Sequence, residues 1–492
     1  MAAPSFFTSI SKPKARFVKL SLSIASLITI SACGGGGSNY TTPVATVPDT
    51  VKPSNTLPSA SSLKNLCAAP RANSPDKQGT MEKEKAYLRS FVDETYLWYK
   101  EVPVIDPASY ANPQKYFDVL KTSRKTASGR PVDEYHWSVT EESFNQQEAG
   151  ISEGYGIEWA RAASAPPRNW VVANLEPASP GGSVFKRGDK LKSIDGEDFE
   201  NGSNINVLNE GLFPSNLNPH TFEVVRGSQV LKFTIKPEII STTPVRYTKV
   251  IATPTGNVGY LYFDDHIAKA EPLLISAIQK LKADGAQDLV LDLRYNGGGL
   301  ISIASRLAYM LGGSATTGKT FDKLVYNDKR SVDNYDFPFY NYASSDAGSG
   351  ALPTLNLKRL YVLAGGGTAS ASEAIINGLR GVDIEVILIG ETTRGKPYGF
   401  VPQDNCGWVY YTVQFKGENA KGFGDFADGF APTCTVKDDF TKELGDVTEG
   451  RLAAALKYRD TKQCAAPSGM KPAPAPDYVL TPNPSKFLLI PR

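Results

Sequence analysis

Histidine is scarce in this chain of 492 residues, which has only His136, His220 and His266. None of the three lies inside a recognisable motif. A serine–histidine hydrolase site and a histidine-rich metal centre are therefore poor starting hypotheses. Sulfur is scarce too, with five cysteines and four methionines, and no cysteine pair has the spacing of zinc ligands. No charge of one sign prevails: 53 basic residues face 51 acidic ones, for a net charge of +2. The basic residues form no run beyond the N-terminus, which argues against nucleic acid as the partner. A long apolar run is also missing. The longest candidate, Leu20 to Ile30, is shorter than the roughly 20 residues needed to span a bilayer.

That short run is part of a targeting pattern. Lys12, Lys14, Arg16 and Lys19 precede it and Ile30-Ser31-Ala32-Cys33 ends it. Small residues just before a cysteine resemble the lipobox of bacterial lipoproteins, and residues 1–32 are set aside as a signal peptide. The resemblance implies cleavage before Cys33, acylation of its thiol and attachment to a membrane by a lipid. An ordinary secretory signal with an incidental cysteine is the alternative. Gly34, the next residue, is not the aspartate that retains lipoproteins at an inner membrane, so an outer membrane facing the periplasm is expected. Residues 33–65, rich in Gly, Thr, Pro, Ser and Val, read as a flexible stalk. The remaining four cysteines, in an oxidising compartment, suggest two disulfides.

Past the stalk, Tyr87, Leu88, Phe91 and Trp98 recur at helical spacing, which predicts a small helical domain over 66–147. Residues 148–240 change character. Strands are expected at Ile151–Trp159 and Trp170–Leu175, followed by Pro177-Ala178-Ser179-Pro180-Gly181-Gly182 and the turn Asp195-Gly196. This order resembles a PDZ domain, which holds a peptide's C-terminal carboxylate on a glycine-rich loop and adds the peptide to a sheet edge. Gly154, Tyr155, Gly156 and Ile157 match that loop. Glu153 stands where a basic residue would help it.

From 241 to 464, strands alternate with helices, the signature of an α/β domain. Asn257–Phe263, Asp288–Leu293, Leu360–Ala364 and Glu385–Ile389 read as strands, and Ala268–Ala283 and Ser370–Leu379 as helices. Residues 318–350 read as a long excursion without clear period, and 465–492 as a Pro-rich tail. Chemistry-bearing segments follow three strands: Asp292-Leu293-Arg294-Tyr295-Asn296-Gly297-Gly298-Gly299, Gly367-Thr368-Ala369-Ser370-Ala371-Ser372-Glu373, and Gly390-Glu391-Thr392-Thr393-Arg394-Gly395-Lys396. Strand ends of this kind are where open α/β sheets place their sites.

These three motifs, in this order behind a PDZ-like domain, resemble the C-terminal processing (tail-specific) serine peptidases. The resemblance covers most of 81–460. It implies a crotonase/ClpP-like spiral sheet, Ser370 as nucleophile and Lys396 as general base, with no metal or organic cofactor. It also implies an oxyanion hole from the amides of Ala371 and Gly298, with Gly297 or Gly299 as alternatives in the triple glycine. The residue chemistry is compatible. A serine hydroxyl needs a group to take its proton, and a lysine can do so where burial keeps its amine neutral. Substrates would be protein or peptide tails with free C-termini.

The sequence departs from the family at two places. The position four residues past the lysine, glutamine in many members, is Phe400, and Gln403 is off register. The serine–lysine interval is also slightly long, absorbed around Gly381 to Asp383. Trp408 to Phe415 reads as a further strand, and Cys406 and Cys434 flank one apparent hairpin excursion, which predicts that they pair and leaves Cys67 for Cys464. The rival readings are a catalytically inactive PDZ-like binding lipoprotein and an acyl-transferring enzyme.

Overall fold

The computed structural model describes residues 57–464 and 478–480; the signal peptide, Cys33 and most of the stalk and tail fall outside them. Among the described residues no helix is long and apolar enough to cross a membrane. The stalk ends earlier than the sequence suggested. Ala60–Leu63 form a helical turn, and Ala60 and Leu63 are buried against the first long helix, α1 (Met81–Thr95). Thr80 caps α1 by accepting from the Lys83 N–H, and Tyr87, Leu88 and Phe91 form its buried face. This helical region is not a separate module. Tyr410 and Val413 belong to its core, and Trp137–Thr140 pairs with Trp408–Tyr411.

A β domain follows. Its sheet contains β1 (Ile157–Ala163), β2 (Asn169–Leu175), β3 (Lys190–Ile194), β4 (His220–Arg226) and β5 (Gln229–Ile235), with the helix α2 (Ile205–Leu212) beside it. The spatial order is β5-β4-β3-β2-β1. Its core holds Trp159, Trp170, Phe185, Phe199 and Phe222. A ladder between Ile151–Gly154 and Glu238–Ser241 closes the domain where the chain leaves it.

The α/β domain is built on β6 (Val245–Ile251), β7 (Val258–Phe263), β8 (Asp288–Asp292), β9 (Arg359–Ala364), β10 (Glu385–Gly390) and the short β11 (Cys434–Thr435), in that order across the sheet. Only the β6–β7 pair is antiparallel. Strands β7 and β8 are buried along their whole length because both faces are covered, which is why they read as unbroken apolar runs. Helices α3 (Ala270–Ala283), α4 (Ile301–Gly312) and α5 (Ala371–Gly381) cover one face with Leu274, Leu307 and Ile375. Ala173 of the β domain and Leu452 of α6 (Gly450–Thr461) cover the other.

Three expectations need correction. The excursion 318–350 contains an antiparallel hairpin, Thr320–Tyr326 with Tyr335–Pro338. The single strand expected over 408–415 is two strands, Trp408–Tyr411 and Phe415–Glu418, which join different sheets. For the same reason the disulfide pairing is reversed: the bonds are Cys67–Cys406 and Cys434–Cys464. Residues 407–433 cross between sheets, so Cys406 turns toward the helical region while Cys434 lies at the far edge of the α/β sheet, beside the end of α6.

Candidate active site

The C-terminal ends of β8, β9 and β10, neighbours in the sheet, deliver the three motif loops to one place. The loop after β9 makes the sharpest turn. Ser370 sits at the N-cap of α5 with φ +56° and ψ −118°, a left-handed conformation that is strained for a residue with a Cβ. The loop is tightly held. The Thr368 hydroxyl donates to the Leu293 carbonyl (2.8 Å) and accepts from the Gly365 N–H (3.0 Å). The Ala369 N–H and the Ser372 hydroxyl both donate to the Asn296 carbonyl, at 3.1 Å each. Ala371 is the first residue of α5, where the backbone N–H has no intrahelical acceptor.

The loop after β8 brings Gly298 against the serine. Its φ is +98°, and a Cβ there would fall 2.7 Å from the Ser370 Cβ and 2.9 Å from the Ala371 nitrogen. Only glycine permits this approach. The Gly298 N–H donates to Asn296 Oδ1 at 2.9 Å. As an oxyanion donor, it would have to turn from that partner to the substrate. Asn296 is buried, its amide nitrogen donates to the Phe263 carbonyl and its Oδ1 also meets His266 Nδ1. His266, which belongs to no motif, thus buttresses the glycine loop. Burial pushes its imidazole down to about 4, so it is neutral there.

Glu373 joins the serine loop to the lysine loop. Its carboxylate is wholly buried. One oxygen accepts from the Ser370 N–H (3.0 Å) and the Lys396 N–H (2.8 Å); the other accepts from the Gly395 N–H (2.7 Å) and the Thr393 hydroxyl (2.6 Å). Burial pushes this carboxyl up, opposed by those four donors. Glutamate three residues after a serine at a helix start is a capping-box spacing, so the sequence carried a signal for it. The Arg394 N–H also donates to the Thr368 carbonyl at 2.9 Å.

Lys396 Nζ lies over the Phe400 ring, 4.1 Å from its centroid, and 4.9 Å from that of Tyr135. Phe400, at the family's glutamine position, therefore contacts the lysine as an aromatic face. Tyr135 comes from the helical region, which grips the lysine loop at several points. The Tyr135 hydroxyl donates to the Gly395 carbonyl (3.2 Å), Arg130 donates to the carbonyls of Arg394 (2.8 Å) and Ala427 (3.0 Å), and Glu134 pairs with Arg394. No motif pointed to Arg130 or Tyr135. Ser370, Lys396, Gly298 and the loop Gly154–Ile157 all line one continuous cleft.

Asp292 and Arg294 of the first motif act beneath the site. The buried Arg294 guanidinium bonds Asp292 (2.9 Å) and Glu449 (2.8 and 3.0 Å) and also reaches Asp438 (2.9 Å). Arg187 of the β domain bonds the same Asp438 and the Tyr295 hydroxyl (2.6 Å). This network fixes the β domain and the C-terminal segment to the base of the loop after β8.

A strained serine on a strand-to-helix turn, an adjacent lysine and a glycine loop define a candidate serine hydrolase site. Two family models match parts of the chain: the one described as Peptidase family S41 matches residues 257–408, and the one described as Peptidase S41 N-terminal domain matches 83–139. Among curated relatives it is 28% identical over 209 residues to the carboxyl-terminal-processing protease of Synechocystis sp. That match spans 42% of this chain and 44% of the relative. It is 27% identical to the chloroplastic carboxyl-terminal-processing peptidase 1 of Arabidopsis thaliana, over 43% of this chain and 40% of the relative. The chain thus matches less than half the length of each. A solved structure described as an S41 protease, from Bacteroides fragilis, superposes with a TM-score of 0.60 at 22% identity, over 77% of this chain and 97% of the other. At that identity the likeness speaks to the fold.

Proposed function

We propose that the protein is a serine endopeptidase that cleaves near the C-terminal tails of exported proteins by a Ser370–Lys396 dyad. The observation that carries this is Glu373, whose one oxygen accepts from the backbone of both residues. It holds the strained serine and the lysine in fixed relation without using either side chain. Ser370 Oγ attacks the scissile carbonyl while the Lys396 amine takes its proton. The amides of Ala371 and Gly298 receive the developing oxyanion. Lys396 then returns the proton to the leaving amine, and water hydrolyses the acyl-enzyme by the same route. The Phe400 and Tyr135 rings flank the amine, and their faces attract the ammonium formed in the attack.

The β domain reads as PDZ-like and the α/β domain as crotonase-like. In the β domain, Gly154 (φ +147°) and Gly156 (φ +70°) bracket a buried Tyr155 just before β1. This arrangement supports the loop as the seat of a tail carboxylate. Cys33 is the proposed lipid anchor, placing the enzyme on a membrane, the outer one facing the periplasm where the cell has two.

A fluorophosphonate probe tests the central claim. The expected result is covalent labelling at Ser370 and complete loss of labelling and proteolysis in Ser370→Ala. Proteolysis retained by the purified variant would overturn the assignment. A folded parent that neither labels nor cleaves would favour an inactive binding protein.

A further inference from the structure

The outer edge of β1 is not open. Residues Val479 and Leu480 form a further strand, β12, that pairs antiparallel with β1, Val479 opposite Arg161 and Leu480 opposite Ala160. The preceding Tyr478 fixes the approach. Its ring packs edge-on against Phe440 at 5.0 Å, and its hydroxyl bonds Asn169 Oδ1 at 3.3 Å. Val479 is half exposed and lines the same cleft as Gly154–Ile157 and Ser370.

The direction of β12 matters. As the chain advances from 479 to 480, its partner falls from 161 to 160, so β12 runs toward Ile157 and the Gly154–Gly156 loop. An extended peptide whose terminal carboxylate is to reach that loop must run the same way along the same edge. Side chains on a strand alternate between faces. Val479, opposite Arg161, therefore shares the face of Trp159 and the domain's own core. Tyr478 shares the face of Ala160, turned to the α/β domain, where both pack in one cluster. The segment thus presents an apolar side chain to the cleft side and is tethered from the other.

We infer that residues 478–480 are a built-in competitor for the substrate-docking edge: an incoming tail must displace β12 before it can pair with β1. This rests on the reading of the β domain as the tail-docking module. Two paired residues make a weak strand, but attachment to the same chain gives it an effective concentration on the order of millimolar. If the free segment bound with a dissociation constant of about 0.1 mM, it would weaken capture of an outside peptide about tenfold.

The test uses the Ser370→Ala chain, so that bound peptide is not cleaved, and compares it with the same chain carrying Val479→Pro and Leu480→Pro. Of two adjacent residues only one turns its N–H toward the partner strand, and proline at both positions removes that donor without shortening the protein. The probe is a fluorescein-labelled six-residue peptide ending Val-Ala-Ala with a free carboxylate, read by anisotropy, with its C-terminal amide as control. The expected result is binding about tenfold tighter in the proline variant, with the amide bound weakly by both. Equal affinity in the two chains would overturn the competitor role and leave tail docking standing. If neither chain bound the carboxylate peptide above the amide, tail docking would fail and the competitor role with it. A second comparison, with a chain ending at Cys464, must agree in direction with the proline variant; unchanged affinity there would overturn the inference as well.

Discussion

Glu373→Gln is the smallest change that tests how the proposed dyad is held. The side chain keeps its shape but exchanges one acceptor oxygen for an NH2 donor. All four partners of Glu373 donate to it: the N–H groups of Ser370, Gly395 and Lys396 and the Thr393 hydroxyl. If the amide oxygen takes the Thr393–Gly395 side, the N–H groups of Ser370 and Lys396 both lose their acceptor. If it takes the other side, the Thr393 hydroxyl, which already accepts from the Phe430 N–H (2.7 Å), can rotate to accept from the new amide as well, and the Gly395 N–H is orphaned, facing a nitrogen across a contact that is now 2.7 Å. The second orientation is the cheaper. A buried donor without a partner costs about 1–3 kcal/mol, so the variant should unfold with a stability lower by about that amount. It should also react more slowly with a fluorophosphonate, because relief of the crowding at Gly395 displaces the lysine loop from the serine loop. Chemical denaturation and labelling kinetics on the purified variant measure both effects. Wild-type stability together with wild-type labelling would refute the account of Glu373 as the joint between the two loops.

Other perturbations separate the remaining claims. Lys396→Arg should lose activity by about 10²–10⁴-fold, the usual worth of a general base, because a guanidinium stays protonated; near-normal peptidase turnover would remove lysine from that role. Asp322 is buried, and burial raises its carboxyl from the ordinary 3.8 to about 8. Its contribution to stability is therefore fully present below the ordinary value and is lost as pH rises toward about 8. Asp322→Asn, which cannot ionise, should gain in Tm over the parent steadily from about pH 4 to pH 8 and then level off; a pH-independent difference would contradict this. Reducing the Cys67–Cys406 bond, or replacing both residues with serine, should lower stability by about 2–5 kcal/mol, measured by denaturant midpoint. Cys33→Ala should release the protein from membranes; continued sedimentation with membranes in high salt would remove the lipid anchor.

The parts of the site legible in the sequence are those built from local turn chemistry. A glycine triplet after each of two buried strands and a serine at a helix start are consequences of backbone geometry. They leave a residue-level trace, and the structure brings Ser370, Gly298 and Lys396 to adjacent strand ends. Glu373 left a trace of the same kind in its spacing from Ser370, although its link to the lysine loop needed the fold. What left no trace depends on contacts between distant segments. Arg130 and Tyr135 reach the lysine loop across more than 250 positions, and His266 meets Asn296 from another strand end. The disulfide pairing, Cys67–Cys406 and Cys434–Cys464, depends on distant contacts in the same way. Proximity along the chain suggested Cys406 with Cys434, but the intervening residues cross between sheets.

The grip on the lysine loop also bears on what counts as the catalytic module. A family match over 257–408 invites the view that the α/β domain is sufficient. Yet the loop that carries Lys396 is held by Glu373 from within that domain and by Arg130, Glu134 and Tyr135 from outside it. Tyr135 also supplies one of the two aromatic faces near the amine. The helical region is in turn bound to the hairpin beyond the lysine by a shared strand pair and the Cys67–Cys406 bond. An isolated α/β fragment would expose the backbone carbonyls of Gly395 and Arg394 and the Lys396 side chain to water together. The helical region thus belongs to the environment of Lys396, whose Nζ lies near aromatic rings from two parts of the fold.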